Sequence, residues 1–210
     1  VRQKGASCST SVVDVAERDE VYDWAEEVRE AHGAVNVIIN NAGVSLSASV
    51  EGMDYEDFEW LMEINFWGVV YGTKAFLPLI QKAGRGRVVN MSSAFGLVAS
   101  PTQSAYNASK FAVRGFTESL RSELELMESD VGATCIHPGG IQTDIVRNGR
   151  FADTGDLNWD RDSTVEEFEE MIARTSPEDA ATRIAEGIEG DEGRVRVGMD
   201  CVAIDVFQRL

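Results

Sequence analysis

Residues 35–44, VNVIINNAGV, combine a short continuous apolar run with a turn that contains Asn, Ala and Gly. Such a run is typical of a strand that is covered on both faces, as parallel strands are. Amphipathic helices are predicted on both sides of it, over 17–33, where Gly33 ends the helix, and over about 55–82. The stretch therefore favours an α/β fold in which helices cover both faces of a sheet.

The rest of the chain continues this alternation of strands and helices. Residues 141–175 are polar and contain two helical candidates but no clear strand. The alternation predicts one doubly wound domain, spanning 1–210, with a parallel sheet. The further predicted strands cover 7–15, 86–93, 132–140 and 194–198, and the further predicted helices cover 104–127 and 177–188.

Composition argues against several classes of partner. The net charge of −17 repels a phosphate backbone, so we expect no nucleic-acid partner. Three widely separated cysteines and two histidines show no metal-site spacing, so we expect no metal and reduced thiols in a cytoplasmic protein. The sequence contains no apolar run long enough to span a bilayer, so we expect no membrane partner.

The uncommon sequence features lie where the predicted strands end, which is where ligands bind in such sheets. Tyr106 and Lys110 share a helix face, and an ammonium group beside a phenol lowers the phenol's pKa towards neutrality. Ser93 ends the preceding strand and could hold a carbonyl oxygen in the same cleft. Asn65 is a poor mid-helix residue that could disturb its helix and offer a carbonyl to a water chain reaching Lys110.

Each of these features also has a plainer interpretation. The spacing of Tyr106 and Lys110 could be accidental, Ser93 could satisfy a turn, and Asn65 could be a buried core amide. Only the four residues together favour a catalytic site.

The chain resembles the short-chain dehydrogenase/reductase family in several motifs that keep the family's order and spacing. The resemblance implies a Rossmann-like sheet and hydride transfer between a nicotinamide cofactor, NAD or NADP, and a small-molecule ketone or secondary alcohol. The motifs are NNAG at 40–43, Asn65 in EINFWG, Ser93 in NMSSAFG, YNASK at 106–110 and PGGIQT at 138–143.

The resemblance also implies a role for each site residue. Tyr106 would be the catalytic acid/base, Lys110 would lower its pKa and hold the nicotinamide ribose, and Ser93 would orient the substrate oxygen. Asn65 would support a proton relay. The implied cofactor contacts are Asp14 and Val15 at the adenine, Asn41, Ala42 and Gly43 at the adenosine ribose, Tyr106 and Lys110, and Pro138, Gly139, Ile141 and Thr143 at the carboxamide and phosphates.

The family's glycine-rich TGxxxGxG turn does not occur in this sequence. We therefore expect a partial domain that lacks the family's first two strands, with the strand at 7–15 as the third and no neighbour beside it. The residue that selects NAD or NADP would lie in the missing part. Residues 144–175 correspond to the family's variable substrate lid, and the family's helix pairing implies a homodimer or homotetramer.

Two alternatives remain open. The chain could be a non-catalytic or inactive fragment of a binding protein on the same fold, because fold does not fix function. It could also be a relative of the nucleotide-sugar epimerases, which share the Tyr–Lys pair. A serine hydrolase is disfavoured because no GxSxG elbow surrounds Ser92 or Ser93.

Overall fold

The computed structural model describes residues 5, 7–154, 157 and 159–208. A parallel sheet in the order β1-β3-β4-β6 forms its centre, and a separate parallel pair joins β2 to β5. The parallel sheet with flanking helices confirms the predicted fold class. The strands are β1 (Val37–Asn40), β2 (Leu46–Ser47), β3 (Gly86–Met91), β4 (Val131–Pro138), β5 (Arg150–Phe151) and β6 (Arg194–Val197).

Helices connect these strands and cover both faces of the main sheet. Within the described ranges, π-helical turns lie at Glu63–Trp67 and Phe168–Ile172, and a 3₁₀ turn lies at Ala94–Gly96. No helix of the described residues is both long and apolar enough to cross a membrane. The helices are α1 (Arg18–His32), α2 (Tyr55–Met62), α3 (Gly68–Lys82), α4 (Ser104–Leu126), α5 (Arg161–Glu167), α6 (Pro177–Glu189) and α7 (Met199–Phe207).

The core consists of two main apolar layers, one on each face of the sheet. On one face Val88 packs with α1, α3 and α4 through residues such as Val21, Phe76 and Leu120. On the other face Val89 and Val195 pack against α6. Neighbouring residues of β3 therefore point to opposite layers, which is why Val88 and Val89 are both apolar and fully buried although they are adjacent in sequence.

The predicted strand at 7–15 is wrong. Residues 7–14 form no regular element, and the side chain of Val12 is fully exposed. β-Branched residues favour a strand only where a neighbour supplies hydrogen bonds and a packing surface, and no described strand lies beside this segment. At its end the side chain of Asp14 accepts a hydrogen bond from the Ala16 N–H (2.9 Å) and forms a turn that leads into α1.

Three short elements, β2, β5 and α7, were not predicted from the sequence. β2 and β5 pair across about a hundred residues of chain, and β5 lies in the predicted lid, where no strand was expected. α7 follows the last predicted strand. Leu46 of β2 lies in the apolar cluster that contains Tyr106, and Asp200 of α7 binds the Gly140 amide after β4.

Candidate active site

Tyr106 and Lys110 lie on the first two turns of α4, at the carboxyl end of the sheet. The Lys110 ammonium is 5.5 Å from the centroid of the Tyr106 ring. Lys110 is only 3% exposed, and its Nζ donates a hydrogen bond to the Met91 carbonyl at the end of β3 (3.1 Å). Burial lowers the pKa of Lys110 to about 8, because an ammonium group loses hydration in the interior.

The net pKa shift of Tyr106 is opposite to the one that the sequence analysis predicted. Burial raises the pKa of its phenol above the ordinary value, and a hydrogen bond with the Ser93 side chain opposes this shift only in part. The net shift is upward because desolvation outweighs this hydrogen bond. The separate lowering by Lys110 stays a prediction. At neutral pH the phenol is protonated and can donate a proton.

Ser93 follows β3 and precedes the 3₁₀ turn. Its Oγ accepts a hydrogen bond from the Phe95 N–H (3.1 Å). Its carbonyl accepts from the Gly96 N–H (2.9 Å) and lies 2.9 Å from Nδ1 of His137 on β4. These contacts fix the backbone on which the Ser93 hydroxyl is carried, so the hydroxyl has a defined position relative to Tyr106.

The segment that carries Ser93 is fastened directly to α4. The Asn107 carboxamide donates to the carbonyls of Phe95 and Val98 (2.8 Å each), and the Ser92 hydroxyl donates to the Lys110 carbonyl (2.8 Å). A Cβ at Gly96 would overlap the Ser92 hydroxyl. Ser93, Tyr106 and Lys110 are thus held by one set of contacts.

Asn65 is fully buried in the π-helical turn between α2 and α3. Its Oδ1 accepts from the Val44 N–H (2.8 Å), while its Nδ2 donates to the Val44 carbonyl (2.9 Å) and to the Ser109 hydroxyl (3.3 Å). The predicted disturbance of the helix is therefore present, and π-helical turns are frequent at functional sites. The side chain ties the NNAG turn to the two long helices.

The NNAG turn brings Gly43 beside Lys110. A Cβ at Gly43 would lie 3.3 Å from the Asn65 Oδ1 and 3.5 Å from the Lys110 Nζ. Asn41 and Ala42 are exposed. The absence of a side chain at Gly43 leaves a small cradle next to an ammonium group, which suits the hydroxyl oxygens of a sugar.

The other predicted cofactor residues lie before α1 and at or after the end of β4. Asp14 is exposed, and Val15 packs against α3, where a Cβ at Gly68 would lie 3.0 Å from the Val15 side chain. Beyond β4, Thr143 is exposed, whereas Ile141 packs partly against the layer under α6. Pro138 and Gly139 are half-buried at the end of β4. Whether these residues contact a cofactor stays a prediction.

His137 is a residue that the sequence reasoning missed. Because a carbonyl can only accept, its Nδ1 carries the proton that is donated to Ser93. The Nε2 atom is buried and has no hydrogen-bond partner among the described residues. Burial lowers the pKa of His137 to about 4. Its position directly before the predicted PGG turn was the only available signal.

A doubly wound parallel sheet with a Tyr–Lys pair, a serine and an asparagine at its carboxyl edge defines a short-chain dehydrogenase/reductase. The family model described as "short chain dehydrogenase" matches residues 1–153, and the chain belongs to this family.

No group of three or more His, Cys, Asp or Glu side chains in the described part of the chain could hold a metal ion.

Related proteins agree with this assignment. The chain is 45% identical over 206 residues to a Mycobacterium tuberculosis protein named "Putative oxidoreductase SadH", covering 98% of this chain and 73% of the relative. It is 36% identical to mouse estradiol 17-beta-dehydrogenase 11 over 148 residues, 70% of this chain and 50% of that protein.

Solved structures of dehydrogenases also have folds similar to that of this chain. A short-chain dehydrogenase/reductase from Burkholderia phymatum, in complex with NAD, superposes with a TM-score of 0.86 at 25% identity and covers 100% of this chain and 76% of its own. An alcohol dehydrogenase from Thermococcus sibiricus, complexed with 5-hydroxy-NADP, has a TM-score of 0.65 at 25% identity and covers 71% of this chain and 61% of its own.

Proposed function

We propose that this protein is an NAD(P)-dependent oxidoreductase that interconverts a ketone and a secondary alcohol, with Tyr106 as the acid/base. The observation that carries the proposal is the clustering of Tyr106 with Lys110 and Ser93, where the Lys110 ammonium lies 5.5 Å from the phenol ring. Similarity to proteins that bind NAD and an NADP analogue supports a nicotinamide cofactor and leaves the choice between them open.

The chain's own groups fit the proton transfer. The neutral phenol of Tyr106 donates a proton to the ketone oxygen, which Ser93 positions by a second hydrogen bond. The Lys110 ammonium stabilises the tyrosinate that is left and interacts with sugar hydroxyls beside Gly43. The cofactor supplies the hydride. Asp14, Asn41, Ile141 and Thr143 are the proposed further contacts to it.

Contacts around Tyr106 favour an uncharged substrate. The Phe95 ring packs edge-on against the Tyr106 ring, with centroids 6.3 Å apart. Two arginines of the predicted lid are already paired: Arg147 with Glu169 (2.7 Å) and Arg150 with Asp57 (2.7 Å). Arg150 also lies over the Trp60 ring at 3.6 Å. Because both guanidinium groups already pair with a carboxylate, they favour a neutral carbonyl compound over an anionic one.

We further propose a homodimer or homotetramer in the cytoplasm. Exposed aromatic side chains on the π-helical turn and on α4, Trp67 (45%) and Phe111 (41%), support assembly. Phe76, by contrast, is buried against Trp24 with ring centroids 4.8 Å apart and belongs to the core. The buried thiols of Cys135 and Cys201 fit a reducing compartment.

The test of the proposed chemistry is the Tyr106→Phe variant of the full-length protein. Removing one hydroxyl keeps the shape of the site, so turnover should fall by about 10²–10⁴-fold with little change in cofactor affinity. Turnover is followed by nicotinamide absorbance over a panel of ketones and secondary alcohols. Tyr55→Phe, at an exposed tyrosine of α2, is the matched control. Near-normal turnover of the Tyr106 variant would refute the assignment.

A further inference from the structure

The turn that follows β4 is held by a side chain from the carboxyl-terminal helix. Asp200, in the first turn of α7, accepts a hydrogen bond from the Gly140 N–H through Oδ2 (2.6 Å). A Cβ at Gly139 would overlap the same carboxylate. The Asp200 carboxylate therefore occupies the space beside Gly139 and binds the Gly140 amide, and only a residue without a side chain fits at position 139.

Backbone hydrogen bonds fix the same turn on its other sides. The Gly139 N–H donates to the Val197 carbonyl at the end of β6 (2.8 Å). The Thr175 N–H donates to the Gly140 carbonyl (3.2 Å), and the Gln142 N–H donates to the Thr175 carbonyl (3.0 Å). Residues 139–142 are thus clamped between β6, the end of the lid and α7, and Asp200 supplies a charge-assisted bond to this clamp.

α7 also supports the segment that carries Ser93. Cys201, the residue next to Asp200, is fully buried and packs with Ala94 and Leu97 around the 3₁₀ turn. One turn of α7 therefore contacts both strand-end segments of the site. Its position sets the relation between the Gly139–Gly140 turn and the serine.

We propose that Asp200 is a positioning residue that holds the Gly139–Gly140 turn in the conformation that presents residues 141–143 to the nicotinamide cofactor; this rests on the function proposed above. Asp200 acts through the Gly140 amide and not by touching the reacting atoms. A purely structural alternative exists, because an acidic residue in the first turn of a helix interacts favourably with the helix dipole. The test must therefore report on the turn itself.

The experiment compares Asp200→Ala, Asp200→Asn and Gly139→Ala in the full-length protein. We expect Asp200→Ala to speed hydrogen exchange of the Gly140 amide without cofactor and to weaken cofactor binding about tenfold, the effect of one lost hydrogen bond. Asp200→Asn should restore most of the affinity, because its carboxamide oxygen can accept the same bond. Gly139→Ala should reproduce the loss while keeping the Asp200 charge on α7, and it serves if Asp200→Ala does not fold.

The matched control is Asp205→Ala, on the same helix. The Asp205 carboxylate is buried and pairs with Arg196 (3.1 Å) and Arg194 (3.7 Å), two side chains of β6. This variant should lower the melting temperature but leave cofactor affinity and Gly140 exchange unchanged. Unchanged exchange and affinity in Asp200→Ala, or an equal loss of affinity in Asp205→Ala, would overturn the inference. A wild-type protein that protects Gly140 but binds no nicotinamide dinucleotide would overturn the proposed function, and with it the cofactor role of the turn.

Discussion

At the scale of single residues, two opposing effects act on Lys110: the cost of burying its charge, and the favourable interaction of that charge with Tyr106. Its ammonium group is buried, which costs solvation and lowers its pKa to about 8, yet its position 5.5 Å from the Tyr106 ring favours the tyrosinate. A group that is costly to bury and lies beside a candidate acid/base is a frequent mark of a functional site. The burial of this charge therefore supports the proposed role of Lys110.

Replacing Lys110 by Met tests whether its charge acts on Tyr106. Lys110→Met keeps most of the length of the side chain and removes its charge, so the tyrosinate loses a favourable interaction. We expect the alkaline-rising limb of the alcohol-oxidation rate to move to higher pH and cofactor binding to weaken, while the melting temperature does not fall. Lys82→Met, at an exposed lysine of α3, is the control. A pH profile that stays in place would show that Lys110 does not tune Tyr106.

His137 leads to a second residue-scale prediction, on stability. Burial lowers its pKa from the ordinary 6.5 to about 4, so between these pH values the unfolded chain binds more protons than the folded one. The stability that depends on neutral His137 is complete above pH 6.5 and is lost as pH falls towards 4, by up to ~3 kcal/mol.

The measurement is urea unfolding of wild type and His137→Asn between pH 4 and 7. The asparagine amide can still donate to the Ser93 carbonyl but does not titrate in this range. Carboxylates titrate in both proteins, so the difference between the two pH slopes isolates His137. We expect the variant to have the shallower slope. Parallel slopes would contradict the assignment of a neutral buried imidazole.

At the scale of elements, the π-helical turn at Glu63–Trp67 connects the NNAG turn to the long helices. Asn65→Ala would leave the N–H and the carbonyl of Val44 without their side-chain partners. Because unpaired buried polar groups cost about 1–3 kcal/mol each, we expect the free energy of unfolding to fall by about 2–4 kcal/mol.

The matched control for this prediction is Asn36→Ala. Asn36 is exposed and donates to the Arg85 carbonyl (2.9 Å), so its loss should cost far less because water replaces the bond. Both variants are measured by chemical denaturation. Equal losses in the two variants would show that Asn65 is not the tie between the turn and the helices.

The same scale shows what sequence reasoning could and could not reach. Three features were predictable from local residue types and spacing. They are the NNAG turn after β1, the pairing of Tyr106 with Lys110 on α4, and the disturbed helix at Asn65. The strand at 7–15 failed because strand formation depends on a neighbour that the residues themselves do not specify. The contacts of Asp200 and His137 join segments that are distant in sequence, so no local sequence pattern could predict them.

At the scale of the whole molecule, an aromatic patch lies across the π-helical turn, α3 and α4. The Trp67 and Tyr71 rings stack at 5.8 Å, and the Phe66 and Phe116 rings meet edge-on at 6.3 Å. Phe111 is also exposed on α4. Exposed apolar surface of this kind favours burial against a partner surface, and a second copy of the chain is the partner we propose.

Gly115 offers a way to test assembly without harming the fold. It is exposed on α4, one turn from Phe111, and a Cβ there would meet nothing within 4 Å. Gly115→Arg should stabilise the isolated helix by up to about 1 kcal/mol, because glycine is a poor helix former. In a close helix-to-helix interface the same arginine would block approach, so folding and assembly should respond in opposite directions.

Light scattering of the full-length protein should therefore give a dimeric or tetrameric mass for wild type and a smaller mass for Gly115→Arg, with no loss of helical signal. Ala31→Arg places the same side chain on an exposed position of α1 and should leave the mass unchanged. A monomeric wild type at micromolar concentration would refute the proposed assembly. An unchanged mass in Gly115→Arg would place the interface on another face, because a charged side chain cannot be buried there without a partner.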